Sequence, residues 1–225
     1  YVTGMACVKA CTELRDKIIA TGASMLGIDP EDAEFDGAKV YCVSDPDKFV
    51  SRKDVAYKGQ CGSNSELAAT VSHSSPVSPP PFMVGAAEIE LDPETGKVDL
   101  VDYCACVDCG TPINPNLARV QTEGGLVQGI GMALYEDIVY GENGTNYSNS
   151  FMQYKIPSRL DIGKVRVEFE SSYEPSGPFG AKSIGEVVIN TPPPAIAAAV
   201  ASATGVRIRS LPITAEKIVM GMQKL

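Results

Sequence analysis

The stretch from 114 to 134, "NPNLARVQTEGGLVQGIGMAL", gives two conflicting instructions. Asn114 is a good N-cap and Pro115 suits the first helical position, so a helix is predicted from there to about Tyr135. Yet its interior holds Gly124, Gly125, Gly129 and Gly131. Each interior glycine costs about 1 kcal/mol relative to alanine, so together they cost roughly 4 kcal/mol. Helix propensity did not place them there. Close approach of another backbone, or of a ligand, is the natural compensation. Gln121, Gly125, Gln128 and Met132 share one stripe of the helix. A glutamine one turn from a bare glycine can present its amide to a buried polar ligand. The same spacing also suits a tightly packed helix with capped glutamines, and spacing leaves both readings open.

The rest of the pattern sets this helix in an α+β fold. Val8, Cys11, Leu14 and Ile18 predict a helix over 5–22. "AKVYCV" (38–43) reads as a strand, "RKDVAYKG" as a short helix and 63–72 as a strand with a polar edge. "SSPVSPPP" (74–81) is a proline-rich connector. "FMVGAAEIEL" and "KVDLVDYCACV", joined by "DPETG", form a hairpin with Gly96 in its turn. A polar loop (141–150) precedes an alternating strand at 164–171. Thr191, Pro192 and Gly205 cap, open and close a further helix, followed by a short "RIRSLP" strand and a terminal helix from about 214. One hairpin among irregularly alternating elements indicates a mixed sheet with packed helices. The expected organisation is one domain over 1–225, with two subdomains meeting near 74–81.

With a net charge of -9 and a pI near 4.7, the 225-residue chain is a poor match for nucleic acid or an anionic membrane. It has no unbroken run of 18 apolar residues, so no membrane span is expected. The opening "YVTGMACVKAC" has no basic n-region and no signal core and reads as a piece of a longer polypeptide, while the cysteine usage reads as that of a reduced, cytoplasmic chain. Seven cysteines in a chain of this size argue against a disulfide framework. "CACVDC" invites a metal reading, but its C-x-C-x2-C spacing puts Cys104 and Cys106 on one face of a strand and Cys109 on the other. Buried thiols are the better reading, and no protein metal ligands are expected. His73 has no second histidine to join it.

Residues 176–186, "SGPFGAKSIGE", combine three glycines with a single carboxylate, Glu186. Composition allows either a surface turn before a helix or backbone packed closely around a ligand.

Three segments together, "VDCGTPINPNLARVQTEGGLVQGIGMALYED", "YKIPSRLDI" and "GPFGAKSIGE", resemble the xanthine dehydrogenase/aldehyde oxidase family of molybdenum hydroxylases. The likeness is to the C-terminal part of the large, molybdopterin-binding subunit and extends over nearly the whole chain. It implies the molybdenum-cofactor-binding fold of that family. Glu186 then matches the active-site glutamate, and Gln121 the glutamine that hydrogen-bonds the pterin. Gly185 and Lys182 match further positions beside the cofactor.

The implied cofactor is molybdopterin, in bacterial members often as the cytosine dinucleotide. The implied reaction is oxidative hydroxylation of an aldehyde or N-heterocycle carbon using water, with Glu186 as base. Iron-sulfur clusters and FAD are expected only in partner subunits or domains, and the rest of the molybdopterin subunit is an expected partner. The alternative is a non-catalytic assembly domain that binds no cofactor on its own. The small-molecule substrate and the electron acceptor are not legible.

Overall fold

The computed structural model describes residues 1–61 and 67–225. They divide into two compact units, Tyr1–Val77 and Ser78–Leu225.

In the first unit, helix α1 (Val2–Leu26) lies against a meander of β1 (Ala33–Phe35), β2 (Lys39–Cys42) and β3 (Asp45–Ser51), and α2 (Arg52–Cys61) packs on both. Helix α1 runs past the expected end at residue 22. It stops at Gly27, whose left-handed backbone returns its own N–H and that of Ile28 to the carbonyls of Ser24 and Ala23. The core is small: Ala23, Ala33, Val40 and Val55, flanked by Ile18, Ile19, Phe35 and Leu67. β3 is a strand where none was expected, because "DPDKFVS" is polar and holds a proline. It is an edge strand, where both are tolerated. Of the strand expected over 63–72, residues 63–66 lie outside the described residues and 67–72 form no regular element.

The second unit is built on the expected hairpin. β4 (Phe82–Leu91) pairs antiparallel with β5 (Val98–Asp108), and β6 (Lys164–Phe169) pairs parallel with β5. The sheet is therefore mixed. The turn is closed by Asp92, whose carboxylate accepts from Glu94 N (2.9 Å) and the Thr95 hydroxyl (2.8 Å), with Gly96 at φ 73°. A bulge between Glu88 and Ile89 shifts the alternation of β5, so that Leu100 joins Tyr103, Ala105 and Val107 in the core. Cys104 and Cys106 consequently sit on the opposite face, half-buried and exposed, and of these three cysteines Cys109 alone is buried. The reading of "CACVDC" as buried thiols holds for Cys109 and fails for the other two.

Helix α3 (Pro115–Leu134) crosses over from β5 to β6, and α4 (Pro192–Thr204) packs on α3 and β4. Leu126, Ile130, Ile196, Val200 and Ile218, the last from α5 (Ala215–Met222), complete the core. Asn114 caps α3 as expected, accepting from Asn116 N and Leu117 N at 3.1 Å. Thr191 does not cap α4: its hydroxyl accepts from the buried Tyr103 hydroxyl at 2.8 Å. "RIRSLP" forms no strand. Among the described residues one 18-residue window, Val187–Thr204, has the length and composition of a membrane span. Only 13 of its residues are α-helical, too few to cross a bilayer, and Ile196 and Val200 are core residues.

The helix glycines now divide. A methyl at Gly125 would overlap Val188 Cγ2, and one at Gly129 would come within 2.8 Å of both Ile189 O and Pro192 Cγ. Val188 is fully buried and β-branched, so it cannot swing aside. Gly125→Ala is expected to cost about 1–3 kcal/mol by overpacking, read from denaturant unfolding of the intact polypeptide. Unchanged stability would show that α3 does not depend on this close approach.

Candidate functional site

Where α3 lies along residues 185–189, the two segments leave an open cleft of about 300 Å³. Gln121, Gly124, Gly125 and Gln128 line it from α3, and Gly185, Glu186, Val188 and Ile189 from the facing segment. The structure thus brings together Gln121, Gly185 and Glu186, which are 65 residues apart at the extremes of the sequence. One bond ties them: Gln121 Nε2 donates to Gly185 O at 3.0 Å. Among the described residues its second N–H and its Oε1 have no other partner and can serve a ligand.

Glu186 is exposed at the cleft. Among the described residues its carboxylate forms no hydrogen bond or ion pair. It precedes a single 3-10 turn, Val187–Ile189, and caps nothing with its side chain. The next α-helix, α4, begins only at Pro192.

Two glycines of the cleft have no structural reason to be glycine. Among the described residues, a methyl at Gly124 or at Gly185 would meet nothing within 4 Å beyond its own chain neighbours and helix, and neither has a positive φ. Gly125 is needed for packing, whereas Gly124, beside it in sequence, is a bare patch of helix facing the cleft. Such bare backbone beside amides suits a flat ligand rich in hydrogen-bonding edges.

Lys182 does not line this cleft. Its Nζ donates to Asp108 Oδ2 at 2.7 Å, and the two side chains are only 11% and 19% exposed. The ammonium also lies 5.5 Å from the centre of the Phe82 ring. Asp108 Oδ1 accepts from Ser172 Oγ (2.6 Å) and Gly110 N (2.9 Å). Burial pushes the Asp108 carboxyl up, but Lys182, Ser172 and Gly110 outweigh it and hold it down to about 2. Its contribution to stability is present above the ordinary carboxylate range and is lost as pH falls through about 2.

Backbone bonds reinforce this anchor: Lys182 N donates to Cys109 O (2.7 Å), and Thr111 N to Gly180 O (2.8 Å). Between them, Phe179 is held at φ 52°, ψ 28°, a left-handed conformation that costs about 1–2 kcal/mol for a residue other than glycine. Asp108 escaped the sequence reading, although an acidic residue ending an apolar strand is a signal that a cation waits nearby.

A larger groove of about 530 Å³ lies elsewhere along α3, lined by Glu123, Val127, Arg159 and Arg166 among others, and holds none of the expected site residues. His73 belongs to the first unit, where its Nδ1 is 3.0 Å from Lys9 Nζ.

Residues 1–163 match the molybdopterin cofactor-binding domain. The chain is 35% identical to a probable hypoxanthine oxidase, XdhD, of Escherichia coli K12, covering 99% of this chain and 23% of that protein. It is 34% identical to the gamma subunit of the 6-hydroxypseudooxynicotine dehydrogenase complex of Paenarthrobacter nicotinovorans, covering 100% and 29%. A crystal structure of the Cu,Mo-CO dehydrogenase superposes with a TM-score of 0.83 at 26% identity, over 99% of this chain and 29% of that one. The chain thus spans about a quarter of the length of these relatives.

The residues present fit the group this domain is named for: amides at Gln121 and Gln128 for the edges of a pterin, bare backbone at Gly124 and Gly185 for its face. Gly124→Ala should therefore raise helix stability by up to about 1 kcal/mol while lowering molybdopterin retention in the native enzyme. A stabilised variant with full cofactor content would mean that the ligand does not use this patch.

Proposed function

This chain belongs to the xanthine dehydrogenase/aldehyde oxidase family of molybdenum hydroxylases, and we propose that it forms one wall of such an enzyme's cofactor site. The complete enzyme would convert an aldehyde or N-heterocycle C–H to C–OH with oxygen from water. The observation that carries the reading is the cleft itself. Gln121 and Glu186 share it, the Gln121–Gly185 bond couples them, and two of its glycines are explained by no protein contact.

When bound, the molybdenum cofactor supplies the two-electron chemistry. The roles left to this chain are holding the cofactor and moving a proton. Gln121 keeps one N–H on Gly185 O, which fixes its amide plane, and offers the remaining N–H and Oε1 to the pterin. The bare backbone at Gly124 and Gly185 admits the ring system closely. Glu186, unpaired among the described residues and exposed at the cleft, accepts the proton that water gives up as its oxygen joins the substrate carbon. The balance is R–H plus water giving R–OH, two protons and two electrons.

The rest of the molybdopterin subunit would complete the site. Iron-sulfur and flavin partners would carry the electrons away, the cofactor would be the cytosine dinucleotide form, and the compartment would be the cytoplasm. A naturally split or complex-forming enzyme is in keeping with relatives that are named as subunits of complexes.

Glu186→Gln keeps size and polarity but removes the base. In the native enzyme it should lower turnover by about 10²–10⁴-fold, with molybdenum content, read by metal analysis, unchanged. Turnover near that of the parent would remove Glu186 from the mechanism. Gln121→Ala should lower bound molybdenum and pterin several-fold. Full cofactor content would remove Gln121 from the binding set, and no bound cofactor in the parent enzyme would favour the assembly-domain alternative.

A further inference from the structure

We propose that Lys182 is a positioning residue: its ion pair with Asp108 fixes the backbone that delivers Glu186 to the cleft. This rests on the cleft reading above and assigns a role to a residue that does not line the cleft.

Glu186 is reached from the core by two routes. On one side Gln121 holds the carbonyl of Gly185. On the other, four residues upstream, Lys182 is held by both its side chain and its backbone, to Asp108 Oδ2 and Cys109 O, each at 2.7 Å. Asp108 is the last residue of β5, paired with Phe82 of β4, and its neighbour Val107 is paired on both sides, with Met83 of β4 and Phe169 of β6, so the strand end is held. Its other oxygen holds Ser172 at the start of the same loop. A single carboxylate thus closes both ends of the segment 172–182. Glycine is obligatory within this knot: a methyl at Gly110 would collide with Gly180 O and approach Lys182 N to 2.8 Å.

The strained Phe179 points the same way. A left-handed, exposed phenylalanine gains little locally. It persists only where the surroundings over-determine the chain, and such strain collects at sites where geometry matters more than stability. An ion pair largely withdrawn from water, its side chains 11% and 19% exposed, has the same character. Replacing both partners is commonly neutral for stability, whereas removing one strands the other charge.

That asymmetry supplies the test. Lys182→Met and the double variant D108N/K182M would be made in the native enzyme. Hydrogen exchange would be followed over residues 183–190 and over the β4–β5 hairpin, alongside thermal unfolding. The single variant is expected to melt earlier and the double variant close to the parent. In both, exchange over 183–190 should rise at least tenfold while the hairpin stays protected.

Unchanged exchange over 183–190 in the double variant would overturn the proposal. So would an increase shared equally with the hairpin, which would make the pair a general support. The readout needs no turnover: were Glu186→Gln fully active, the base assignment would fall while the exchange result still decided whether Lys182 positions this segment.

Discussion

The packing of a bare helix face against residues 185–189 is the constraint on which the site depends. Gly125 and Gly129 let Val188, Ile189 and Pro192 come to the backbone of α3, closer than any side chain would permit. The helix gives up propensity at each glycine, and the burial of Val188 against Gly125 offsets it. Because the approach is so close, the segment just before Val188 cannot wander. Gly185 and Glu186 are delivered to the side of α3 that carries Gln121.

Two kinds of force then divide the work. Apolar packing sets the distance between α3 and the 185–189 segment. Hydrogen bonds and one ion pair set the orientation, through Gln121 on one flank and Asp108 with Lys182 on the other. The cleft that results is small and lightly walled, with its one carboxylate unpaired among the described residues. A chain that spans about a quarter of its relatives is expected to supply only part of an enclosure, and a wall of this kind is what the geometry provides.

Much of this was legible locally. Asn114 and Pro115 announce α3 because capping is decided within three residues, and the β4–β5 hairpin follows from its turn and alternation. What escaped depends on partners distant in the chain. Gly124 and Gly125 look alike in sequence; only Val188, 63 residues beyond Gly125, separates a packing glycine from a bare one. Thr191 has the residue type of a cap but is taken by Tyr103. The resemblance set Lys182 at the cofactor, but nothing in the spacing announces that its ammonium rests on Asp108, a pairing across 74 residues. Cys104 and Cys106 were expected in the core, yet a bulge and the one-sided burial of the sheet leave them on its outer face. The coupling of Glu186 with Gln121 came from the family resemblance and not from spacing.

The central claim is that the cleft between Gln121 and Glu186 receives the pterin and faces the metal. A structure of the native enzyme loaded with molybdenum tests it most directly. The account predicts pterin atoms within hydrogen-bonding distance of the Gln121 amide, the ring system against Gly124 and Gly185, and the Glu186 carboxylate facing the metal. A cofactor bound elsewhere, with this cleft filled by protein side chains, would contradict it.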